Sequence, residues 1–255
     1  MRTEYSDDQY ESNYPDGIEN HWWHLARNRI LVDTIANLVG PDAAVLEVGC
    51  GRGIVVKYLR SSGIDCTGVE PADAKPIATI AKYIHVRTNA LDISRTQRQR
   101  YNTILLLDVI EHIPDPLAFL QELTDAFPNL THVIVTVPAC QELWSNYDVF
   151  YGHYRRYTLE MLKNLSEELR VNHTWEGYFF HLAYPLAWAA ANVKKSRETK
   201  LASPHGLARW AHKFFSYVMI LDCKLFPRRV PGTSAIACFF LDKCRAPASA
   251  VADTL

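Results

Sequence analysis

A short apolar run followed by three glycines at alternate positions is the feature that most constrains how this chain can fold. Residues 44–48 (AVLEV) predict a buried strand, Gly49, Gly51 and Gly53 follow it, and residues 54–63 (IVVKYLRSSG) predict a helix. Glycine lets backbone amides come close to a ligand, and the N-terminus of a helix favours negative charge. This strand–turn–helix unit predicts a ligand-binding loop at the carboxyl end of the strand.

Strands and helices go on alternating as far as residue 138. Further strands are predicted at 65–70, 83–86, 102–108 and 131–138, and further helices at 72–83 and 116–127. Continuous apolar strands that alternate with helices indicate a parallel sheet covered on both faces. Because such crossovers are right-handed, we expect a doubly wound α/β sheet that binds ligands at the carboxyl ends of its strands.

The pattern changes after residue 138. Residues 143–157 are predicted as a long aromatic and polar loop, and residues 158–169 as a helix that Thr158 caps. A sixth strand at 170–180, helical segments over 181–230 and a last strand at 232–244 complete the prediction. The two ends of the chain, 1–17 and 246–255, lack a periodic apolar pattern and are expected to be loosely held.

Near its start the chain has apolar residues at helical spacing over residues 18–39. The cluster at 21–23 (HWW) serves either as part of a lid over a ligand or as the core face of this helix. We therefore divide the chain into an N-terminal helix or lid at 1–40 and one α/β domain at 41–255. The domain contains a helical insertion at about 181–230.

An acid at the end of the second predicted strand narrows the choice of ligand. Glu70 lies seventeen residues after Gly53, where a carboxylate accepts hydrogen bonds from both hydroxyls of a ribose. A dinucleotide site prefers G-x-G-x-x-G, whereas residues 49–53 read G-x-G-x-G and follow the acid Glu47. A nicotinamide-dependent oxidoreductase is therefore the less favoured of two nucleoside-binding classes.

Three segments together resemble the S-adenosylmethionine (SAM)-dependent methyltransferases of the seven-stranded class I fold. They are residues 45–53 (VLEVGCGRG), 68–71 (GVEP) and 105–116 (LLLDVIEHIPDP). The similarity extends from residue 20 to about residue 165. It implies SAM as cofactor and a Rossmann-like, mostly parallel sheet of seven strands, in which the last strand runs antiparallel beside the sixth.

The resemblance also assigns roles around the glycine loop. The three glycines pass under the methionine part of SAM, Glu47 helps to hold the turn and the amino group, and Glu70 takes the ribose hydroxyls. Where the family often has aspartate, this chain has Asn89, whose carbonyl oxygen can accept from the adenine amino group; Asp92 is the alternative. Arg27 is expected to reach the cofactor carboxylate. The complete predicted cofactor-binding set is Arg27, Glu47, Gly49, Cys50, Gly51, Gly53, Glu70, Pro71, Asn89, Ala90, Leu91, Asp108 and Val109.

Methyl transfer to a hydroxyl group requires removal of the acceptor's proton, by a general base or with the help of a metal ion. His153 is the predicted general base, and His112 and Asp108 are the other catalytic candidates. The segment at 143–157 offers aromatic ring faces to an acceptor, and its Asp148, His153, Arg155 and Arg156 offer polar contacts. The adjacent Arg155 and Arg156 suit a phosphate or carboxylate on the acceptor.

Two readings of residues 108–112 (DVIEH) stay open. In one, the acid and the histidine only shape the turn. In the other, this chain resembles the ubiquinone-pathway O-methyltransferases and the small-RNA 3′-end 2′-O-methyltransferases, in which an acid, Glu-His and a later histidine bind a divalent metal. Asp108, Glu111, His112 and His153 occupy the matching places, and such a set suits Mg²⁺, Mn²⁺ or Zn²⁺. No residue is therefore predicted as a metal ligand.

Charge and cysteine usage limit the partners and the compartment. The net charge is −1 and the sequence pI is about 6.8, so no global field attracts nucleic acid, and no nucleic-acid partner is expected. The six cysteines form no C-x-x-C pair and are read as reduced thiols of a cytoplasmic protein. No apolar run is long enough to predict a signal peptide or a membrane-spanning helix.

The acceptor itself is not identified by these patterns. We expect methyl transfer to a hydroxyl, or less favourably an amine, of a small-molecule, glycan or lipid-linked acceptor. The apolar stretches at 178–200 and 211–226 are either core helices or an interfacial pair that makes peripheral contact with a membrane. A non-catalytic SAM-binding scaffold and an NAD-dependent oxidoreductase are the alternatives, and the oligomeric state is not predicted.

Overall fold

Seven strands form one sheet in the computed structural model, which describes residues 14–194, 199–200 and 202–241. The strands are β1 (Ala44–Val48), β2 (Asp65–Glu70), β3 (Ile84–Val86), β4 (Thr103–Leu107), β5 (His132–Pro138), β6 (Asn172–Phe179) and β7 (Ser234–Phe240). Their order is β3-β2-β1-β4-β5-β7-β6, and β7 is antiparallel to both of its neighbours while the other pairs are parallel. The predicted fold class is confirmed. Predictions for residues 1–13, Cys244 and the tail at 246–255 lie outside the described residues.

Helices cover both faces of this sheet. They are α1 (Trp22–Leu38), α2 (Ile54–Ser61), α3 (Arg95–Arg98), α4 (Pro116–Ala126), α5 (Asn146–Phe150), α6 (Leu159–Glu168), α7 (Tyr184–Ala189) and α8 (Leu207–Leu225). A separate apolar cluster lies on each face of the sheet. The central strand β4 is buried along its whole length, because it has neighbouring strands on both sides and helices above and below.

The register of the parallel strands brings three chain segments to one edge. Val48 pairs with Val69 of β2 and with Leu106 of β4. The residues that follow β1, β2 and β4 therefore emerge side by side. This edge is where a doubly wound sheet binds ligands.

Two predicted elements differ from the structure. The helix predicted at 72–83 is wrong for its first half: only Ala78–Tyr83 is helical, and it is a 3-10 helix. Pro76 explains the difference, because proline lacks the amide proton and disfavours a helical residue before it. The loop predicted at 143–157 contains the short helix α5, which begins at a capping box between Ser145 and Asp148. Thr158 caps α6 as predicted, accepting a hydrogen bond from the amide of Met161.

Helices α7 and α8 lie between β6 and β7 in the chain, and α8 packs against α1. The buried Asp222 carboxylate accepts hydrogen bonds from the backbone amides of His181 at 2.8 Å and Leu182 at 3.2 Å. The amide of Trp22 donates to Nδ1 of His212 at 3.2 Å. The Asp222 contacts hold α8 to the segment that follows β6, and the His212 contact ties the insertion to the N-terminal helix. None of the described helices combines the length and the hydrophobicity that crossing a membrane requires.

Candidate active site

The glycine loop after β1 depends on left-handed backbone conformations. Gly49, Gly51 and Gly53 have φ angles of 75°, 55° and 82°, a region in which a side chain is strained. A Cβ atom on Gly53 would lie 2.7 Å from Cδ1 of Ile80 and 2.8 Å from Cδ1 of Ile84. The alternating glycines are thus required by conformation and, at Gly53, by space as well.

Glu70 joins this loop to the end of β2. Its carboxylate accepts hydrogen bonds from the amide of Gly51 at 2.7 Å and from the amide of Ala72 at 2.9 Å. Burial raises the pKa of Glu70, and these two hydrogen bonds oppose the rise. Because each carboxylate oxygen has two acceptor sites, Glu70 retains capacity for the hydroxyls of a ribose.

One cavity of about 1440 Å³ lies along this edge of the sheet. Of the predicted cofactor-binding residues, only Gly51 and Gly53 do not line it, and they shape the loop that does. We call the segments 47–53, 70–72 and 89–91 the cofactor wall; residues 47–50, 70–72 and 89–91 line the cavity directly. We call the segment 143–157 the acceptor wall; it lines the cavity through Tyr147, residues 149–154 and Arg156, and Asp108 and His112 line the cavity as well.

Two buried polar atoms without partners lie at the start of the cofactor wall and on the neighbouring Arg27. Oε2 of Glu47 and Nε of Arg27 have no hydrogen-bond partner among the described residues. Burial raises the pKa of Glu47 to about 8, and Glu70 adds to this rise while Arg27 opposes it. Arg27 forms a short ion pair with Asp108, and its guanidinium lies 4.1 Å from the ring centre of Trp23. Contact between Arg27 and a cofactor carboxylate stays a prediction.

Asn89 has one side of its amide group already occupied. Its side-chain nitrogen donates to Oδ2 of Asp92 at 3.0 Å, and the same carboxylate oxygen accepts from the Asn89 backbone amide at 3.1 Å. The carbonyl oxygen of Asn89 is thus the atom left to accept from an adenine amino group. Asp92 is not among the residues that line the cavity, so the structure favours Asn89 over that alternative.

The acceptor wall is organised by Asp148. The prediction that Asp148 contacts the acceptor is wrong, because this acid is fully buried and does not line the cavity; its supporting role was missed. Its Oδ1 accepts from Nε of Arg156 at 2.8 Å and lies 2.9 Å from Nδ1 of His153. Burial alone would raise the pKa of Asp148, but His153 and Arg156 lower it to about 2. Asp148 is therefore a carboxylate that fixes the ring of His153. The spacing Ser145-x-x-Asp148, a capping box, was the available signal.

The two neighbouring arginines do not form a shared anion site, as the sequence suggested. Arg156 is buried, pairs with Asp148 and donates to the carbonyl of Ala139 at 3.1 Å. Arg155 points elsewhere and donates to the carbonyl of Pro114 at 2.7 Å. The prediction that they act together on a phosphate or carboxylate is wrong, because the guanidinium of Arg156 is bound to Asp148 of the acceptor wall and to the carbonyl of Ala139.

His112 and Glu111 come together with His153 of the acceptor wall, and all three residues line the cavity. The rings of His112 and His153 meet edge to face with centres 4.7 Å apart. Burial and the nearby His153 lower the pKa of His112 to about 4, so its ring is neutral. Glu111 is buried, and burial followed by the charge of Asp108 raises its pKa well above the usual range. Neither of its carboxylate oxygens has a hydrogen-bond partner in the described part of the chain.

One ligand atom from each of these three residues lies within 4.8 Å of the other two. Asp108, the fourth residue of the predicted set, is not in this group and forms an ion pair with Arg27. The structure thus brings together Glu111, His112 and His153 and leaves Asp108 outside them.

Comparison with known proteins identifies the family. The family model described as a methyltransferase domain matches residues 22–170, more than half of the chain. The chain belongs to this methyltransferase family. The predicted SAM-dependent methyltransferase class is confirmed, and the oxidoreductase alternative is set aside.

Individual relatives are more distant. The ubiquinone biosynthesis O-methyltransferase of Nitrosomonas europaea is 25% identical over 121 residues, which are 41% of this chain and 52% of that protein. The chain thus spans about half the length of the curated relatives it matches. The solved magnesium protoporphyrin IX methyltransferase from Synechocystis PCC 6803 with bound SAM has a TM-score of 0.51 at 13% identity, covering 93% of this chain and 92% of that one. This likeness shows the shared fold.

Proposed function

We propose that this chain transfers the methyl group of SAM to a hydroxyl of a small-molecule, glycan or lipid-linked acceptor, and that His153 removes the acceptor's proton. The observation that carries the proposal is the pair formed by Asp148 and His153 in the wall of the cavity, with Nδ1 of His153 2.9 Å from Oδ1 of Asp148. Because Asp148 holds Nδ1, Nε2 is the nitrogen that remains to accept a proton.

The cofactor wall fits SAM. The unpartnered Oε2 of Glu47 suits the cationic amino group, and the carboxylate of Glu70 suits the ribose hydroxyls. The carbonyl oxygen of Asn89 suits the adenine amino group. When bound, SAM supplies an electrophilic methyl group. The chain's own residues then orient the acceptor, exclude water and remove one proton, and orientation alone accounts for on the order of 7–11 kcal/mol of barrier lowering at best.

A hydroxyl acceptor is favoured over an amine by the acceptor wall. An amine that is neutral in solution attacks without help, whereas a hydroxyl must lose its proton as the new bond forms. A histidine held by a buried carboxylate, beside the neutral ring of His112, provides such a proton acceptor. The related ubiquinone biosynthesis enzymes are named as O-methyltransferases, which supports the same acceptor atom.

A divalent cation is the second candidate for activating the hydroxyl. Glu111, His112 and His153 fit it, because a buried carboxylate without hydrogen-bond partners stands beside two imidazoles. The contact between His153 and Asp148 also resembles the carboxylate support that metal-bound histidines commonly have. A cation held there would lower the pKa of the acceptor hydroxyl. The metal content of the purified chain, and its activity before and after EDTA treatment, decide between the two candidates.

The test of the proposal is transfer of label from radioactive SAM to a panel of phenols, sugars and isoprenoid-linked versions of both. We expect label in a product from which the corresponding methyl ether is identified by mass spectrometry. Label found only on amines, with every hydroxyl acceptor unmodified, would contradict O-methylation. Binding of S-adenosylhomocysteine (SAH) without transfer to any member of the panel would instead favour a non-catalytic scaffold.

A further inference from the structure

Exposed apolar side chains concentrate on the insertion. Of the sixteen exposed large hydrophobic residues in the described part of the chain, thirteen lie between residues 182 and 230. Single exposed apolar residues are ordinary on a protein surface, whereas a concentrated patch marks a surface that contacts something. The insertion is therefore the part of this molecule to search for an interaction.

Six of these residues form one stripe along α8, at spacings of three and four. We call them the α8 ridge: Leu207, Trp210, Phe214, Tyr217, Leu221 and Leu225. Each is at least 53% exposed. Ser216, Met219 and Asp222, on the other side of the helix, are buried. Helix α8 is thus anchored to the domain by one face and presents an apolar ridge to the outside on the other.

Positive charge accompanies the ridge. Residues 182–232 contain nine basic and two acidic residues, although the whole chain has a net charge of −1. One of the two acids, Asp222, is buried and bound to backbone amides. Five basic residues on or directly after α8 are exposed, and none pairs with a carboxylate among the described residues: Arg209, Lys213, Lys224, Arg228 and Arg229.

The apolar ridge and the unpaired basic residues beside it together favour one kind of binding partner. A second copy of the chain would bring two cationic faces together, and like charges across an interface repel. An anionic surface complements the unpaired cations, and an apolar face flanked by lysine and arginine is the composition of helices that lie in a membrane interface. We propose that the α8 ridge docks on an anionic lipid bilayer, with its apolar side chains at the boundary between headgroups and acyl chains.

The insertion that carries the ridge also lines the cavity. Leu186 and Ala190, on and just after α7, line the cavity together with Phe215 of α8, and Leu186 is 74% exposed. An acceptor held in the bilayer by an isoprenoid or acyl tail would therefore enter the cavity from the docked side and reach the acceptor wall. This route for the acceptor rests on the proposed function, whereas docking on the bilayer does not.

Flotation of the full-length chain with lipid vesicles tests the docking. We expect it to float with vesicles of phosphatidylcholine and phosphatidylglycerol, to stay behind with phosphatidylcholine alone, and to detach as salt is raised. Replacing two ridge residues together, Phe214→Asp and Leu221→Asp, should lower the bound fraction by at least ~tenfold. The control Met161→Asp places the same charge at an exposed apolar position of α6 and should bind as the unchanged chain does.

Measurements of stability and SAH affinity, of oligomeric state and of methyl transfer accompany the flotation experiment. Both replaced ridge positions are exposed, so the double variant should retain its melting temperature and its SAH affinity. Equal flotation of this variant and the unchanged chain, or equal binding to neutral vesicles, would overturn the proposal. Light scattering that shows a dimer which the ridge variant breaks would assign the ridge to a second copy instead. Vesicle binding without methyl transfer would show that the proposed function fails while docking holds. Methyl transfer without vesicle binding would show the reverse.

Discussion

The two walls of the cavity are made in different ways. In the cofactor wall, backbone groups at the ends of neighbouring strands set the shape, and Glu70 is held by the amides of Gly51 and Ala72. In the acceptor wall, one buried side chain, Asp148, holds both His153 and Arg156. The comparison teaches that the cofactor site is fixed by local chain geometry, and the acceptor site by contacts between side chains. A change in one wall should therefore leave the other intact.

The largest effect should come from removing the predicted base. His153→Ala should lower kcat for methyl transfer by ~10²–10⁴-fold, because the acceptor hydroxyl loses its proton acceptor. The same variant should bind SAH with an affinity within ~threefold of the unchanged chain, since His153 belongs to the other wall. Single-turnover kinetics and calorimetry measure the two quantities.

The matched control for this variant is His205→Ala, which removes an exposed histidine that does not line the cavity. It should leave both quantities unchanged. Loss of SAH binding in His153→Ala would show that the two walls are not independent.

A glycine comparison tests how strictly the cofactor wall depends on its backbone. Gly53→Ala should destabilise the fold by about 1–2 kcal/mol for its left-handed conformation, and by about 1–3 kcal/mol more for overpacking against Ile80 and Ile84. Gly63→Ala has nearly the same φ angle, 85°, but a Cβ there meets no atom within 4 Å. Urea unfolding of both variants isolates the contribution of packing to the free energy of unfolding. Equal losses of unfolding free energy in the two variants would contradict the overpacking at Gly53.

Proton release on SAH binding should report the ionisation of Glu47. Near neutral pH its carboxyl group is mostly protonated, because its pKa is about 8 in the free protein. A cationic amino group beside it favours the carboxylate, so SAH binding should lower this pKa and release up to ~1 proton. The release should disappear above the pKa, where Glu47 is already ionised. Calorimetry in two buffers with different ionisation enthalpies counts the protons, and Glu47→Gln should abolish the release. Unchanged release in that variant would place the amino group elsewhere.

The smallest expected effect separates the two candidates for activating the acceptor. Glu111→Gln keeps the shape of the side chain and removes its ability to ionise. If His153 acts as a base, kcat should stay within ~threefold of its normal value, because the raised pKa of Glu111 already keeps it neutral. A loss of ~10²-fold together with loss of bound metal would establish the cation instead.

Local sequence rules account for most of the cofactor side. The strand at residues 44–48, the three glycines and Glu70 follow one another closely in the chain, so their geometry depends on short-range preferences of the backbone. The helix predicted at 72–83 is wrong in its first half because the prediction follows apolar spacing, whereas Pro76 prevents a regular helix there.

The acceptor side was less predictable because it depends on contacts between side chains, which backbone rules do not indicate even over the five residues from Asp148 to His153. His153 is a predicted base, but its contact with Asp148 depends on the short helix α5, which lies within the segment predicted as a loop. The ion pair between Arg27 and Asp108 joins residues 81 positions apart, and no local pattern indicates it. The capping box at Ser145 was the one local signal available.

Calorimetric titration of SAH into the unchanged chain, Glu70→Ala and His153→Ala tests the central claim most directly. The claim is that one cavity holds a cofactor wall and an acceptor wall that act independently. We predict that the unchanged chain and His153→Ala bind SAH alike, and that Glu70→Ala binds it ~10²-fold more weakly, since the proposed buried acceptor of the ribose hydroxyls is lost. Equal binding by Glu70→Ala, or loss of binding in His153→Ala, would contradict this account of the site.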